Sequence, residues 1–388
     1  MQFEYEWKMG TMKKLVVLVF MFVVVAVQAQ DATIWNKVHA FITKPEKVDT
    51  AFIYQPKPGF SLGLSSSLQK AGFDLDVNFK IKYEDGSTLP CRSTYGLSES
   101  LCKKIGFDLG YGNVGFGYGF EVGPRSAQKR SSLGLNIKGR TWGVHAEYYR
   151  ISNPFTTGIV IGEEGNADYW EDQWTTEEQA VLKDFTIDGY YVFNNERFAY
   201  PAAYKIGLVQ RHTAGSWLVT AHYMQGNLYN SPEAAHDSYN LLDCFFTMQA
   251  SIGGGYSVNF VLWHKDPSGP RDKGLRNVTL NLTAMPVITL ANYLKTTSYA
   301  YDVEGHHTGE RISKVWCYPM PNYIGSAAGS LAWGRFFFSA QFTYNRFYFR
   351  SRDAVDVSQL NVPDYVGNVR FHGIFHDWLV KGSLVYRF

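Results

Sequence analysis

Four side chains suited to proton transfer lie on three consecutive strands that the sequence predicts. His145 and Glu147 are two residues apart, so they share one face of their strand. Asp188 and His222 belong to the next two predicted strands, and all four would converge if these strands are neighbours in a barrel. Because a histidine beside a carboxylate can transfer protons or bind a metal, these residues are the candidate acid–base or metal site.

The same four residues also fit a purely structural role. Charged groups inside a narrow barrel must pair to be buried, so a satisfied polar network would use the same residue types. No nucleophile accompanies them at a fixed spacing, which favours the network over catalysis. We therefore expect no catalytic site, no cofactor and no metal ion, and we keep His145, Glu147, Asp188 and His222 as the only candidates.

The four cysteines lie in or near predicted surface loops. Cys91 and Cys102 are eleven positions apart in one loop, and an exported protein meets oxidising conditions, so we expect them to form a disulfide. A bridge closing a loop of this size would contribute about 2–3 kcal/mol of stability. Cys244 and Cys317 could pair only if their loops meet. The chain has no Cys-x-x-Cys spacing, which argues against a metal centre.

The predicted loop that follows the strand of His145 and Glu147 is acidic and aromatic. It includes Glu163-Glu-Gly-Asn-Ala-Asp-Tyr-Trp-Glu-Asp172, whose carboxylate spacing differs from that of a calcium-binding EF-hand. We expect a solvated surface loop that contacts a glycan through Tyr169, Trp170 and Trp174.

The strands themselves follow from the alternation of apolar and polar residues. The pattern is clearest in four segments: 73–81, 251–262, 277–284 and 336–345. The apolar sets are rich in aromatic residues and the other sets are polar or glycine, which suits lipid outside and a polar interior better than a soluble two-sheet sandwich. In the first segment this interpretation places Leu75 against lipid and directs Asp74 and Asp76 inward.

Twelve strands account for the spacing of turns and loops. Counted back from the C-terminus, short connections occur near Gly112, Gly139 and Gly334, and the long connections fall at the opposite end. In an all-β, up-and-down transmembrane barrel, the short turns are periplasmic and the long loops extracellular. Ten or fourteen strands remain as alternatives. The predicted strands are 72–82, 104–110, 113–122, 131–138, 142–150, 182–193, 216–226, 249–263, 276–288, 323–333, 336–349 and 377–388.

Three segments fit this count less simply. Residues 58–67 alternate like a strand and are either an extension before the barrel or the lower part of the first strand. The connection 194–215 is long for the periplasmic side and contains a strand-like piece at 203–211. Residues 30–57 form a short N-terminal periplasmic segment, which is interpreted as a cap, a small plug or a linker.

The N-terminal residues predict export. Lys13 and Lys14 precede a short apolar run that ends in small residues, the pattern of a signal peptide cleaved after Ala29. Met12 is the expected start of translation. The expected domains are the signal peptide 1–29, the short segment 30–57 and the barrel 58–388.

The C-terminal strand agrees with this location. Leu384, Tyr386 and Phe388 lie on one face of the strand, and a terminal phenylalanine resembles the signal by which outer-membrane barrels are recognised for assembly. We therefore expect the protein to reside in the outer membrane of a Gram-negative bacterium after contact with the barrel-assembly machinery.

Composition narrows the class of protein and of partner. Aromatic residues make up 16% of the chain, yet no segment after the signal approaches the ~20 apolar residues that a spanning helix needs. A net charge of +2 gives no reason to expect nucleic acid binding. The expected partners are therefore outer-membrane lipid, the assembly machinery, and a small solute or a surface glycan.

Three stretches rich in glycine and aromatic residues resemble one known family. They are Phe107–Glu121 followed by Leu133-Gly-Leu135, Tyr200–Tyr204 leading to Ala214–Trp217, and Ile252–Tyr256 leading to Ala284-Met-Pro286. Over roughly residues 45–388 the chain resembles an uncharacterised family of outer-membrane β-barrels from Bacteroidetes, a domain of unknown function (DUF4421). The resemblance implies the fold and the compartment, and it supplies no catalytic residue and no substrate.

Three functions follow from these observations. The polar inward rows and glycine stripes favour a narrow pore or carrier for a small solute. The first alternative is a structural or surface-interaction barrel with a filled lumen, and the second is a barrel enzyme acting on lipid or peptide through the four residues above. Barrels of this size serve all three roles, so the fold alone does not choose among them.

Overall fold

The computed structural model describes most of the chain beyond residue 47. It covers residues 48–388 apart from 99–100, 123–128, 153–154, 162–169, 176–180, 230–242, 270–272, 303–305 and 356–365. Contacts divide the chain into two compact units, Met1–Glu46 and Lys47–Phe388. The first unit, with the expected signal peptide, lies outside the described residues. No helix in the described part is long and apolar enough to cross a membrane.

Twelve antiparallel strands form one closed ring. Each pairs with its neighbour in sequence, and the last strand returns to pair with the first. The predicted up-and-down barrel and its count of twelve strands are confirmed. The ring consists of β1 (Phe60–Lys82), β2 (Cys102–Tyr111), β3 (Val114–Glu121), β4 (Lys129–Lys138), β5 (Trp142–Ser152), β6 (Val181–Val192), β7 (Ala214–Tyr229), β8 (Cys244–Lys265), β9 (Arg276–Tyr301), β10 (Met320–Trp333), β11 (Phe336–Arg350) and β12 (Val366–Arg387).

Through the middle of the ring, apolar side chains face outward and polar side chains face inward, as the alternation predicts. On β9, Leu280 and Leu282 are exposed on the outer surface, whereas Asn281 is buried inside. An apolar outer surface with a polar interior is the arrangement of a barrel surrounded by lipid. Exposed aromatic side chains surround the end of the barrel that carries the short turns: Phe60, Trp142, Tyr191, Phe193, Trp217, Trp333, Phe336 and Phe388.

The upper half of β1, towards the long loops, has the opposite orientation. Leu75 and Val77 are only 1% and 2% exposed and face the interior, whereas Asp74 lies exposed on the outside. The expected orientation of this segment is therefore wrong, because this end of the lumen is dry. It is filled by an apolar cluster that we call the upper core: Leu75, Val77, Met224, Leu228, Phe245, Leu294, Val315, Cys317, Phe349, Val355, Val369 and Phe371.

One edge of β1 pairs with two different strands. Its lower part, from Phe60 to Gln69, pairs with β2, and its upper part, from Gly72 to Lys82, pairs with a strand at Thr88–Ser98. The segment 58–67 thus contributes the lower part of the first strand, and the predicted loop 83–103 contains a strand of its own. Thr88–Ser98 continues into an additional sheet with two further strands, Phe155–Ile161 and Trp170–Thr175.

Two more predicted loops contain strand residues. β9 extends to Tyr301 and forms a hairpin with His307–Trp316, and β12 already begins at Val366. The sequence pattern did not predict these extensions. Lipid requires an apolar outer face only where a strand spans the membrane, so the alternation is weaker beyond the lipid.

Tight turns join most strands at the opposite end. Gly112 and Gly334 adopt φ angles of 55° and 57°, a left-handed conformation that glycine reaches without steric cost. The connection between β6 and β7 is longer. It contains a short 3₁₀ helix at Tyr200–Ala203, and its residues Val209–Gln210 pair with Ile53–Tyr54. We call residues 194–213 the plug.

Candidate functional site

The structure places the four predicted residues in two pairs within the lumen. In the strand register, Asp188 lies opposite both His145 on β5 and His222 on β7. Nδ1 of His222 is 2.6 Å from Oδ1 of Asp188, and Nε2 of His145 is 3.4 Å from Oε2 of Glu147. Together they form a polar row across three neighbouring strands.

His222 is held between this row and a distant strand of the ring. Its ring stacks on Phe347 of β11, with 4.5 Å between the ring centroids and 13° between the ring planes. Only 5% of the His222 side chain is exposed. An imidazole that is covered on one face and tied to Asp188 leaves little room for a substrate, so its environment favours a packed polar network over catalysis. Among the described residues, no group of His, Cys, Asp and Glu side chains is arranged to hold a metal ion.

A second polar cluster, which the sequence analysis did not identify, lies beside the first. Nζ of Lys104 donates a hydrogen bond to Oε1 of Gln69 at 2.9 Å, and Nε2 of Gln69 donates to Oδ1 of Asp377 at 2.9 Å. The guanidinium of Arg130 lies 4.6 Å from the centroid of the Tyr149 ring. Lys104 and Asp377 occupy inward positions of strands that the sequence predicts. The alternation of inward and outward residues along these strands could therefore have identified them.

The lumen has a hydrated side and a dry side. On the hydrated side, inward-facing charged side chains keep contact with solvent: Asp108 is 32% exposed, Lys381 31% and His145 38%. On the dry side, Asn259 and Asn281 of β8 and β9 are 0% exposed. A chemical role that needs water or a soluble ligand fits the side that includes β2, β5 and β12.

The plug enters the lumen and is hydrogen-bonded to its dry side. Nδ2 of Asn277 donates to the carbonyl oxygen of Gln210 at 2.7 Å, and the hydroxyl of Tyr204 donates to Oδ1 of Asn281 at 2.6 Å. Phe198 is fully buried among inward-facing apolar side chains. The predicted periplasmic connection is thus a structural part of the interior.

The described end of the N-terminal segment 30–57 covers the plug. Asp49 forms a 3.2 Å ion pair with Arg197, and the backbone N–H of Arg211 donates to the carbonyl of Phe52 at 2.7 Å. Ile53 is buried in a small apolar cluster with plug residues. Of the three interpretations from sequence, this part of the segment fits a cap.

The strand register is incompatible with the predicted Cys91–Cys102 disulfide. Cys91 lies opposite Phe79 on β1, and Cys102 lies opposite Gln69 on the same strand. Strand positions ten residues apart are separated by about 33 Å, whereas a disulfide needs Cα atoms within about 7 Å. The expectation treated 83–103 as a compact loop, but much of it runs along β1 as a strand.

Cys244 and Cys317 lie on opposite edges of β9. Cys244 is opposite Thr297, whereas the backbone N–H of Cys317 donates to the carbonyl of Asn292. Burial raises the pKa of the Cys317 thiol to about 11, so this side chain stays protonated and packs as an apolar group in the upper core. These positions give no support to a bridge between the two cysteines.

The residues of the predicted assembly signal lie on the outer surface near the short turns. Leu384 and Phe388 are exposed there, and the ring of Tyr386 lies 5.0 Å from those of both Phe336 and Phe388. This aromatic group sits where β12 meets its neighbour β11. The predicted glycan contacts lie outside the described side chains: Tyr169, Trp170 and Trp174.

Comparison with protein families assigns the chain to one of them. A model for a domain of unknown function, DUF4421, matches residues 47–265, which is more than half of the chain. The chain belongs to the DUF4421 family. This confirms the family resemblance drawn from the glycine- and aromatic-rich stretches. No curated protein sequence matches this DUF4421 member.

Solved structures similar to this DUF4421 member include three outer-membrane barrels. The outer membrane protease OmpT from Escherichia coli is 7% identical with a TM-score of 0.36, covering 84% of this chain and 97% of that chain. The β domain of the Bordetella autotransporter BrkA is 9% identical with a TM-score of 0.27, covering 82% and 99%. A Pseudomonas aeruginosa FadL homologue is 11% identical with a TM-score of 0.22, covering 83% and 90%.

These likenesses are too distant to transfer a function. The assignment as an outer-membrane β-barrel rests instead on the closed ring of twelve strands, its apolar outer surface and its polar interior.

Proposed function

We propose that this barrel is closed by its own interior and acts through its surface, as a structural or surface-interaction protein. The observation that carries the proposal is the plug, which is bonded to buried asparagines of β9. An open diffusion pore, the role favoured by the sequence alone, would require this segment to leave the lumen.

The upper core supports the same proposal from the other end. Phe349 and Phe371 are fully buried there, together with Leu294. A solute that crossed the barrel would have to displace these side chains as well as pass the plug. Displacing well-packed aromatic side chains is costly because protein interiors are as dense as organic crystals.

Conductance in planar lipid bilayers tests this proposal. We expect the full-length barrel to insert without producing conductance steps. A variant in which residues 198–208 are replaced by a flexible Gly-Ser linker should also be silent, because the upper core still closes the other end of the lumen. Steps that appear only in this variant would show that the plug alone closes the barrel. Heat-modifiable gel migration establishes that each protein is folded. Regular open-channel steps from the unaltered, folded barrel would contradict the closed-lumen proposal.

A carrier for a small solute is the second candidate function. The partly solvent-exposed side chains of Asp108, His145 and Lys381 favour it, because a hydrated, charged compartment can accommodate a polar ligand. A carrier would be silent in conductance yet would give saturable solute uptake into proteoliposomes. A structural barrel would give neither signal.

We also propose a route to the membrane. Supporting observations are the charged and apolar residues 13–27 and the exposed aromatic residues at the end of β12. In this proposal the chain is exported in a Bacteroidetes bacterium, loses residues up to Ala29 and reaches the outer membrane through the barrel-assembly machinery. Its lipid contacts are then the outward apolar side chains of the ring.

Deleting Phe388 should strongly reduce assembly. The Phe388 ring is exposed beside Tyr386 on the outer surface at the end of β12, where an assembly factor can bind it. The measurement is the amount of heat-modifiable protein in the outer-membrane fraction. Phe336→Ala, which removes another exposed ring of the same aromatic group, is the control and should assemble. Normal assembly without Phe388 would show that this side chain is not the signal.

A further inference from the structure

Three lysine ammonium groups gather in the lower lumen with few opposing charges. Lys138 ends β4, Lys381 lies on β12 and Lys205 belongs to the plug. Nζ of Lys205 is 3.4 Å from the carbonyl oxygen of Lys138, and Nζ of Lys381 is 3.6 Å from Oδ1 of Asp108. Within the described part of the chain, neither Lys138 nor Lys205 forms a salt bridge with a carboxylate.

The positive charges of these three lysines repel one another. Lys138 is repelled by Lys381 and attracted by Asp108 and Glu147, whereas the charge that acts on Lys205 is that of Lys138. Burial, followed by this repulsion, lowers the pKa of Lys205 to about 7. This repulsion is relieved if one of the lysines is neutral or if an anion lies near both.

A glycine of the barrel wall makes room for the carboxylate beside Lys381. An ideal Cβ at Gly117 would lie 2.9 Å from Oδ1 of Asp108, so the glycine allows this carboxylate to rest against the barrel wall. Asp108 and Lys381 also belong to the hydrated side of the lumen. A small ligand can therefore approach the ammonium groups through water.

We propose that Lys138 and Lys205, assisted by Lys381, bind a small oxyanion or the anionic group of a small solute. An ammonium group is a compact point charge with three rotatable donors, so lysines suit carboxylate, sulfate and phosphate groups alike. The site does not depend on the surface role proposed above, because a closed barrel with a structural anion and a carrier would both use it.

Sulfate binding to the folded, full-length protein tests the site. The protein is held in an uncharged detergent at low ionic strength, and the thermal unfolding midpoint is followed against the concentration of sulfate, phosphate or acetate. We expect a saturable rise for the wild type. Lys138→Met and Lys205→Met should each weaken binding by about tenfold or more, the loss of one charge-assisted contact.

Two kinds of control separate this effect from general charge screening. Lys273→Met removes an exposed lysine at the same end of the barrel and should leave binding unchanged. Lys138→Arg and Lys205→Arg keep the charge and should bind sulfate within about threefold of the wild type. An equal response of all variants, or no saturable response of the wild type, would overturn the proposal.

The pH dependence of the wild type gives a test that needs no methionine variant. Sulfate keeps its charge, so a loss of affinity between about pH 6 and about pH 8 reports on the protein. Rising pH removes the proton of Lys205 and should weaken binding, and Lys205→Arg should reduce this decline. The other charged groups around the site are Lys138, Lys381, Asp108, Glu147 and His145. A decline that is unchanged in Lys205→Arg would remove Lys205 from the site.

The source of the anionic group is tested separately. A lipid phosphate has the same chemistry, but a lipid would have to bring its acyl chains into a lumen that contains the plug and the upper core. Binding should therefore be insensitive to the phosphatidylglycerol content of nanodiscs. Occupancy that follows phosphatidylglycerol and ignores free sulfate, phosphate and acetate would refute the small-solute assignment.

Discussion

Leu75→Asp is expected to destabilise the barrel by about 4 kcal/mol, or to prevent folding altogether. The leucine side chain is almost fully buried in the upper core, the apolar cluster that also contains Val77 and Phe371. The substitution removes apolar packing and introduces a carboxylate into an interior without water. The free energy of unfolding, measured by urea titration in lipid vesicles with tryptophan fluorescence as the signal, gives the magnitude.

The neighbouring substitution Asp74→Leu is the matched control. Asp74 points outward with 53% of its side chain exposed, so the change should alter the free energy of unfolding by less than about 1 kcal/mol. The pair of variants determines which face of upper β1 is inside. If Asp74→Leu is the damaging change and Leu75→Asp is tolerated, the inward face of upper β1 is the one that carries Asp74.

Asn281→Ala should have the next largest effect, about 2–4 kcal/mol, because it removes the centre of a buried network. Nδ2 of Asn281 donates to Ser257 Oγ at 2.9 Å and to Asn259 Oδ1 at 2.8 Å. Its Oδ1 accepts hydrogen bonds from Tyr204 and Thr283. Several of these partners would be left without a replacement, since water does not reach the dry side of the lumen.

Asn136→Ala provides the comparison on the hydrated side. Asn136 also faces the lumen, but it lies against Gly115 and keeps partial exposure, so water can replace its contacts. We expect a loss below about 1 kcal/mol in the same urea titration. Equal losses for Asn136→Ala and Asn281→Ala would mean that both sides of the lumen are equally wet. Increased protease cleavage within the plug of Asn281→Ala would show that the network holds the plug in place.

The membrane-spanning part of the fold could be predicted because lipid imposes a strict requirement on it. On β9 and β11, one face must be apolar, so the alternation around Asn281 and Phe342 fixes both the strand and its orientation. Above the lipid this requirement ends. The alternating residues around Leu75 predict a strand correctly, but they do not show which face is inside. Here the outer face meets water and the inner face meets a dry core, so the apolar residues point inward.

The candidate site could be predicted only along the strands. The spacing of His145 and Glu147, and the order of the strands carrying Asp188 and His222, were enough to place all four in the lumen. The stacking partner Phe347 was not predictable, because a contact across the ring depends on strand tilt and stagger. Lys205 was missed for a related reason: the plug has no periodic pattern, and its path into the barrel is set by tertiary contacts.

The pairing of β1 with β12 bears on the order in which the barrel folds. Ser61 lies opposite Arg387 and Ile81 opposite Val366, so this ladder joins the two ends of the ring and has the largest sequence separation of any pairing between its strands. Contacts of such high contact order form late, because a long stretch of chain must first be restrained. Until closure, the 22 residues of β12 expose unpaired backbone groups that invite pairing with other chains. The local hairpin between Gly72–Lys82 and Thr88–Ser98 can form much earlier, and it gives the closing strand a ready-made template.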